Sequence, residues 1–301
     1  MAAARVAVRR VAARRVAARL VPLLFAIALA GTAAPLASAP ALPDLPNPKV
    51  AVDAPELGRP GGTLVDAQSG EPRTFNPVVI TDASSGAVVA PLFDTLVESN
   101  YLTGEMEPAL AESWTLSPDR RTWTFVLRAG LRWSDGRPLT TDDVAFSLQV
   151  IFTRGVQSTA ADLLTFKGQP VRWQVLDARR IALSTPAPVG FFLRLVSSVT
   201  IVPRHKLQAA LARGAAAFNT AWGINTPPRE LVGSGPFILQ SYVFGQRAVY
   251  RRNPYYWQVD RAGRRLPYLD RYVVLFVRNQ DAERLKFLAG EIGRASCRER
   301  V

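Results

Sequence analysis

The sequence predicts a mixed α/β fold, on three observations. Segments such as residues 122–127 alternate apolar and polar side chains, as half-buried strands do. Other segments carry apolar residues at helical spacing behind a capping residue, the clearest being the stretch that follows Thr140. The chain has 301 residues, 48% of them hydrophobic, and one cysteine, so it can bury a core without a disulfide framework. We find no solenoid-type repeat and expect no simple doubly wound sheet.

Residues 1–41 are predicted to be a secretory signal peptide. Six arginines lie among the first 19 residues, and the apolar run that follows, residues 20–30, is shorter than the roughly 20 residues of a bilayer span. Small residues precede two cleavage points, after Ala39 or Ala41. We prefer Ala41, because the other point would leave Pro40 first. An uncleaved run that serves as an anchor is the alternative, and Sec and twin-arginine export both stay open.

Nearly half of the formal net positive charge of the chain lies in this leader. The formal net charge is +13, and removal of the six leader arginines brings it to +7 (13 minus 6). The other arginines are scattered among Asp and Glu residues, which is typical of solvated faces and not of a stripe that follows phosphates. The sequence therefore predicts no nucleic-acid partner.

Two further segments are set apart from the fold. Residues 42–60 are rich in proline without periodicity and are predicted to be a linker. Residues 293–301 break the preceding pattern and are similar to the translation of a sequencing adapter, so we expect them not to be biological; a real basic C-terminus is the alternative. The tail holds Cys297, so without it the mature protein has no thiol for redox chemistry or nucleophilic attack.

The first half of the domain is predicted to open with a strand at 61–65 and a helix over 83–97, capped by Asp82 or Ser84. Strands at 113–116 and 122–127 form a hairpin, and a turn follows at Asp135. A helix then runs from Thr140 or Thr141 to about residue 153, with two carboxylates in its first turn, where they favour the helix N-terminus.

The second half is predicted to begin with a hairpin of strands 171–175 and 180–184. Helices follow at 191–196 and 204–215, the second of them started by Pro203. Strand patterns return at 237–243 and 248–251, a loop covers 253–257, and the last elements are a strand at 272–277 and a helix at 282–289.

Catalysis and metal binding are not expected. Gly233-Ser234-Gly235 lacks the spacing of a nucleophile elbow, and His205, the one histidine of the chain, is better explained by a structural role at a helix start beside Pro203. Without a second histidine or a cysteine cluster, no zinc site is expected. Asp135, Asp142 and Asp143 could be proposed as the carboxylates of a glycosidase, but a turn and a helix N-terminus explain them better. The aromatic residues of 114–146 and 255–257 are expected to pack in the core and hairpins more than to stack on a ligand.

Several colinear segments resemble one family of proteins. They are Glu107 to Trp114 (EPALAESW), residues 122–136 (TWTFVLRAGLRWSDG) and 138–146 (PLTTDDVAF), with shorter matches at 74–77, 232–237, 253–257 and 266–270. This pattern is similar to the signature of family 5 extracellular solute-binding proteins, the oligopeptide-, dipeptide- and nickel-binding components of ABC importers. The resemblance covers about residues 61–292.

The resemblance implies a fold: a type II periplasmic-binding-protein lobe of mixed sheet and helices, with an inserted extra α/β domain. It implies that residues 61–99 and 189–278 form the first lobe, that 100–188 form the extra domain, and that 279–292 begin the hinge and second lobe, which is otherwise missing from the chain. In the family, two lobes close over the solute by a hinge motion.

The resemblance also implies a function. We expect a periplasmic protein, with its signal peptide cleaved, that captures peptides or a related small solute for the membrane subunits of an ABC permease, with no catalytic activity, cofactor or metal. A nickel-chelate or oligosaccharide binder and an exported hydrolase are the alternatives. The ligand-binding residues it implies on the first-lobe side are Phe75, Asn76, Ala83, Ser84, Ser85, Gly233, Ser234 and Gly235.

Overall fold

A computed structural model describes residues 58–100 and 102–293. The predicted signal peptide, nearly all of the linker and all but the first residue of the adapter-like tail lie outside these residues. Within them the polypeptide alternates strands and helices, which confirms the mixed α/β class. A continuous core of buried apolar side chains runs through the described part, with Phe75, Phe125, Trp133 and Tyr250 among its fully buried members.

The elements of the described residues are numbered in chain order. The strands are β1 Thr63–Ser69, β2 Val97–Ser99, β3 Met106–Pro108, β4 Ala111–Leu116, β5 Thr122–Leu127, β6 Thr165–Phe166, β7 Gln169–Pro170, β8 Arg172–Val175, β9 Arg180–Ser184, β10 Phe237–Val243, β11 Arg247–Arg252 and β12 Arg271–Val277. The α-helices are α1 Ala83–Val89, α2 Thr141–Phe152, α3 Ala160–Leu163, α4 Phe192–Val196, α5 Arg204–Ala212, α6 Ala215–Thr220 and α7 Gln280–Leu288. Short 3₁₀ turns lie at Pro77–Val79, Ala90–Leu92 and Pro228–Glu230.

The first sheet has the strand order β1-β12-β11-β10. β1 and β12 are parallel, with Thr63 opposite Arg271 and Ser69 opposite Val277, and the other two pairs are antiparallel. The ends of β1 and β12 therefore meet the β10–β11 turn at one edge, which we call the carboxyl edge. The starts of β1 and β12, the start of β10 and the loop 253–270 lie at the opposite edge, which we call the amino edge.

The second sheet has the order β4-β5-β9-β8 and is antiparallel throughout. Both predicted hairpins, β4–β5 and β8–β9, are confirmed, because local alternation of apolar and polar residues is enough to specify such pairs. Phe125 and Ile181 lie opposite each other on the central strands and are both fully buried. This sheet is built from residues 111–184 alone.

The predicted helix at Thr140 is also confirmed, as α2. Thr140 is its N-cap, and the backbone N–H of Thr140 donates to the Asp143 carboxylate at 3.1 Å, which completes a capping box. The Thr140 hydroxyl oxygen in turn accepts from the N–H of Asp142. Two of the four free N–H groups of the helix end are satisfied in this way.

Two predicted helices are wrong in extent. The helix expected over 83–97 ends at Val89, and a 3₁₀ turn containing Pro91 leads into β2, because proline has no N–H to continue the helical ladder. The helix expected over 204–215 divides into α5 and α6 at Gly214, whose φ of 108° is outside the helical range. The first strand is also displaced: it starts at Thr63 and extends to Ser69, because β12 pairs with its whole length.

Candidate functional site

The carboxyl edge of the first sheet is the place where this fold class offers a binding surface. Ligands of open α/β sheets bind outside the carboxyl ends of the parallel strands. Here β1 and β12 end at Ser69 and Val277, and α7 begins just beyond, capped by the Asn279 side chain. The β10–β11 turn is held at the same edge, since the Phe276 N–H donates to the Gln246 carbonyl at 2.8 Å.

Glu71 ties the loop after β1 to that turn. Its carboxylate accepts hydrogen bonds from the Tyr242 hydroxyl and from the Gly245 N–H, both at 2.9 Å. Burial, together with this neighbouring carboxylate, raises the pKa of Tyr242 well above its ordinary value, so the phenol stays a donor. The Tyr242 ring also packs edge-on against Phe75, with 5.2 Å between ring centroids. Both hydrogen bonds and aromatic contacts therefore stabilise the carboxyl edge.

Phe75 and Asn76, both implied as ligand residues, are fully buried beneath this edge. The Asn76 amide donates to the Phe218 carbonyl at 3.0 Å, and its oxygen accepts from the Val78 N–H at 3.1 Å. The Phe75 N–H donates to the Trp222 carbonyl at 2.8 Å. These contacts fasten the loop 70–76 to α6 and to the residue Trp222 that follows it, so the two residues support the edge from below.

Ala83, Ser84 and Ser85 form the first turn of α1, beside the same loop. Ser85 is buried: its hydroxyl donates to the Asp82 carboxylate and accepts from the Arg73 N–H, both at 2.8 Å. Although burial alone would raise the pKa of Asp82, the hydrogen bonds from Ser85 hold it below the usual value. Ser84 is half-buried and Ala83 is exposed, so these two reach solvent at the carboxyl edge.

Gly233, Ser234 and Gly235 lie elsewhere, just before β10 and therefore at the amino edge. A Cβ atom on Gly233 would lie 1.8 Å from the Leu92 carbonyl oxygen, and the Gly235 N–H donates to that oxygen at 2.9 Å. The Ser234 hydroxyl oxygen accepts from the Asp94 N–H at 2.9 Å. The structure thus brings Phe75, Asn76 and residues 83–85 together and places 233–235 apart from them.

Sequence reasoning missed a cavity at the carboxyl edge. It has a volume of about 310 Å³ and is lined by residues 224–228 together with Tyr242 and Phe244. Phe244 lies in the β10–β11 turn and is 69% exposed. An apolar residue such as Phe244 is unusual at a turn tip, because turn tips are ordinarily polar. Its place beside Gly245 is the feature of the sequence that could have indicated this cavity. The apolar wall of this cavity therefore lies next to the hydrogen bond between Tyr242 and Glu71.

The acidic residues considered for catalysis have structural partners. The His205 ring nitrogen and the Asp135 carboxylate are 2.8 Å apart, and the Asp143 carboxylate accepts from the Trp133 indole and from the Arg204 N–H. Burial raises the pKa of Asp143, against the effect of these hydrogen bonds. The cluster joins the N-terminal ends of α2 and α5, as expected of caps.

Over residues 58–100 and 102–293, no three His, Cys, Asp or Glu side chains are grouped as a metal site would require. Over the same residues, no helix combines the length and apolar character needed to cross a membrane.

Similar proteins are known for most of this chain. A probable ABC transporter-binding protein of Deinococcus radiodurans is 34% identical over 77% of the chain, which corresponds to 40% of that relative. The periplasmic murein peptide-binding protein MppA of Escherichia coli is 26% identical over 74% of the chain and 41% of the relative. The chain thus spans about two fifths of the length of these relatives.

A solved structure shows the same fold. It is the periplasmic binding protein DppA of Helicobacter pylori in complex with the peptide STSA, with 26% identity and a TM-score of 0.64 over 78% of this chain and 46% of that one. The fold is a type II periplasmic-binding-protein lobe. Residues 105–297 match the family described as bacterial extracellular solute-binding proteins, family 5, middle part. The chain belongs to the family 5 bacterial extracellular solute-binding proteins.

Proposed function

We propose that this protein is the solute-binding component of an ABC importer, which captures peptides outside the cytoplasm and delivers them to the membrane permease. The observation that carries the proposal is the family match over residues 105–297. The names of the relatives support the substrate class, since MppA and OppA of Escherichia coli are described as peptide-binding. The N-terminal arginines and apolar run support export by a cleaved signal peptide.

The carboxyl edge of the first sheet is the first-lobe side of the proposed binding cleft. Ala83 and Ser84 reach solvent there and offer ligand contacts at the start of α1. Asn76 and Ser85 hold these groups in position from below, through hydrogen bonds to the Phe218 carbonyl and the Asp82 carboxylate. The buried Phe75 ring adds its edge-on contact with Tyr242. A peptide presents alternating donors and acceptors along its backbone, so a surface of loop ends and a helix start suits it.

The remaining implied residues have a supporting role in this proposal. Gly233 and Gly235 allow the chain before β10 to approach the carbonyl of Leu92 closely, and Ser234 fixes the N–H of Asp94. They hold the turn between α1 and β2 against the sheet. Their contribution to binding is thus the stability of the lobe.

Calorimetry on the gene product at the length of its relatives tests the proposal, with peptides of two to six residues as ligands. We expect saturable binding with a micromolar or lower dissociation constant and no turnover. If no peptide binds and a nickel chelate or an oligosaccharide does, the peptide assignment is wrong and a non-peptide solute replaces it. Heat release that continues with catalytic amounts of protein would favour a hydrolase instead.

A further inference from the structure

Arg73 is an exposed cation at the carboxyl edge of the first sheet, on the loop that follows β1. The groups that the proposed solute site offers on this edge, Ala83 and Ser84, carry no charge, so they do not distinguish an acidic peptide from a neutral one. A guanidinium in the same place does make that distinction. The surroundings of Arg73 decide whether its donors are available to a solute.

The backbone of Arg73 is fastened to the start of α1. Its N–H donates to the hydroxyl oxygen of Ser85, a buried residue, at 2.8 Å. The next residue, Thr74, pairs with Gly223 in an antiparallel bridge. The side chain of Arg73 therefore leaves the loop from a fixed point beside the first turn of α1, the part of the proposed cleft that presents Ser84 to solvent.

Within the part of the chain that the structure describes, the Arg73 guanidinium makes no hydrogen bond and no ion pair. Asp82 lies near enough for its charge to interact with Arg73, but each of its oxygens already accepts a hydrogen bond of 2.8 Å from Ser85, one from the N–H and one from the hydroxyl. Glu71, on the same loop, accepts its two hydrogen bonds from residues 242–245. Neither carboxylate therefore occupies the donors of Arg73.

Free guanidinium donors suit a carboxylate. They form a planar fork that matches both carboxylate oxygens, and the resulting charge-assisted hydrogen bonds are stronger than neutral ones. The Ser84 hydroxyl adds a further donor at this edge: a Cβ atom on Gly70 would lie 2.6 Å from it, so the hydroxyl stands at the end of β1. A carboxylate has about four positions that accept hydrogen bonds, and the fork and the hydroxyl together fill most of them.

Given the proposed solute-binding function, we propose that Arg73 is a specificity-determining residue, which pairs with a carboxylate of the bound peptide, either an acidic side chain or the C-terminal group. A solute that covers this edge removes water from the guanidinium. A neutral group opposite Arg73 then leaves the cation buried without a partner, which costs free energy, whereas a carboxylate replaces the lost water. The site thus favours solutes that present a carboxylate at this position by penalising those that do not.

Calorimetry on the protein at the length of its relatives tests the proposal with matched peptides. Alanine tripeptides carry one glutamate at the first, second or third position, each compared with its glutamine counterpart, and trialanine is compared with its C-terminal amide. We expect at least one carboxylate form to bind at least about tenfold more tightly than its neutral match, as a charge-assisted pair in a site closed to water does. The pair that shows the ratio identifies the source of the carboxylate.

Three variants assign that ratio to a residue. Arg73→Gln should reduce it to about twofold or less and leave the dissociation constant of the neutral peptide within about threefold of the parent, and Arg73→Lys should keep part of it, because the charge remains without the fork. Arg172→Gln, at the exposed start of β8 in the second sheet, is the control and should keep the whole ratio. Because Arg73 is exposed and has no side-chain partner among the described residues, its replacement should leave the unfolding midpoint unchanged.

Equal binding of each carboxylate form and its neutral match by the parent would overturn the proposal, as would a ratio that survives in Arg73→Gln. Weaker binding of all peptides by the same factor in that variant would also contradict it, since Arg73 would then support the loop and not contact the solute. If no peptide binds the parent, the proposed function itself is wrong, and a preference among peptides falls with it.

Discussion

The Tyr242 hydroxyl donates a hydrogen bond of 2.9 Å to the Glu71 carboxylate, across 171 residues of chain. The contact joins the loop after β1 to the turn between β10 and β11. These two segments are far apart in sequence, so local sequence alone does not bring them together. The hydrogen bond therefore holds two segments that are distant in sequence together at the carboxyl edge.

Replacing Glu71 with Ala should loosen that edge. A hydrogen bond to a charged group contributes about 1.5–3 kcal/mol. Glu71 accepts two, so we expect a loss of about 3 kcal/mol or more in the free energy of unfolding. Urea denaturation measures it. Tyr242→Phe removes the bond from the hydroxyl alone, and the double variant should lose less than the sum of the two. Strict additivity would show that the two residues act independently.

Gly233→Ala should destabilise the chain by about 3 kcal/mol or more. The new Cβ would lie 1.8 Å from the Leu92 carbonyl oxygen, so the backbone must shift, and overpacking of this kind is costly. Gly190→Ala is the matched control, because nothing lies within 4 Å of its Cβ position. Thermal unfolding of both variants checks the prediction. Equal unfolding midpoints for the two variants would mean that the close approach of Gly233 to Leu92 does not affect stability.

Asp260 should make the free energy of unfolding depend on pH in the acid range. Although burial acts to raise its pKa, hydrogen bonds from Arg264 and Tyr268 lower it to about 2, against 3.8 for the ordinary group. A lowered pKa in the folded state stabilises the fold above about pH 4, and this stabilisation is lost as the pH falls toward 2.

The Asp260→Asn variant isolates this effect. It should be less stable than the parent at pH 6, with a difference that shrinks steadily between pH 4 and pH 2. Urea midpoints across that range measure it, with Asp281→Asn on the exposed start of α7 as the control. A difference that does not change with pH would exclude the titration of Asp260 as its source.

Ala83→Trp should weaken solute binding in the protein at the length of its relatives. Ala83 is exposed at the start of α1, so an indole there would occupy the proposed cleft without entering the core. We expect at least a tenfold higher dissociation constant for peptides by calorimetry. Ala209→Trp, an exposed alanine on α5, should leave the constant within twofold of the parent. Unchanged binding in the Ala83 variant would place the cleft elsewhere.

Much of the fold could be predicted because its signals are local. The β4–β5 and β8–β9 hairpins follow from alternation, and α2 follows from its cap at Thr140. The pairing of β1 with β12 could not be predicted from the residues themselves, since no local pattern in 63–69 specifies a partner in 271–277. The length of β1 was underestimated for the same reason.

The candidate site was harder to predict than the fold. Phe75 and Asn76 lie in a family motif, yet both side chains are buried, and the Asn76 amide is hydrogen-bonded within the lobe. A motif marks residues that a fold depends on, and burial decides whether a side chain can touch a ligand. The cavity beside Phe244 escaped prediction because its wall combines residues from distant segments.

The parallel pairing of β1 with β12 also orders events during synthesis. Thr63 and its partner Arg271 are 208 residues apart (271 minus 63), and among the strands that the structure describes only β12 pairs with β1. At 5–20 residues per second, β1 waits for about 10–40 s before its partner is made. The second sheet, complete by residue 184, can form meanwhile. The sheet of hairpins is thus complete on the growing chain well before the first sheet can close around β1.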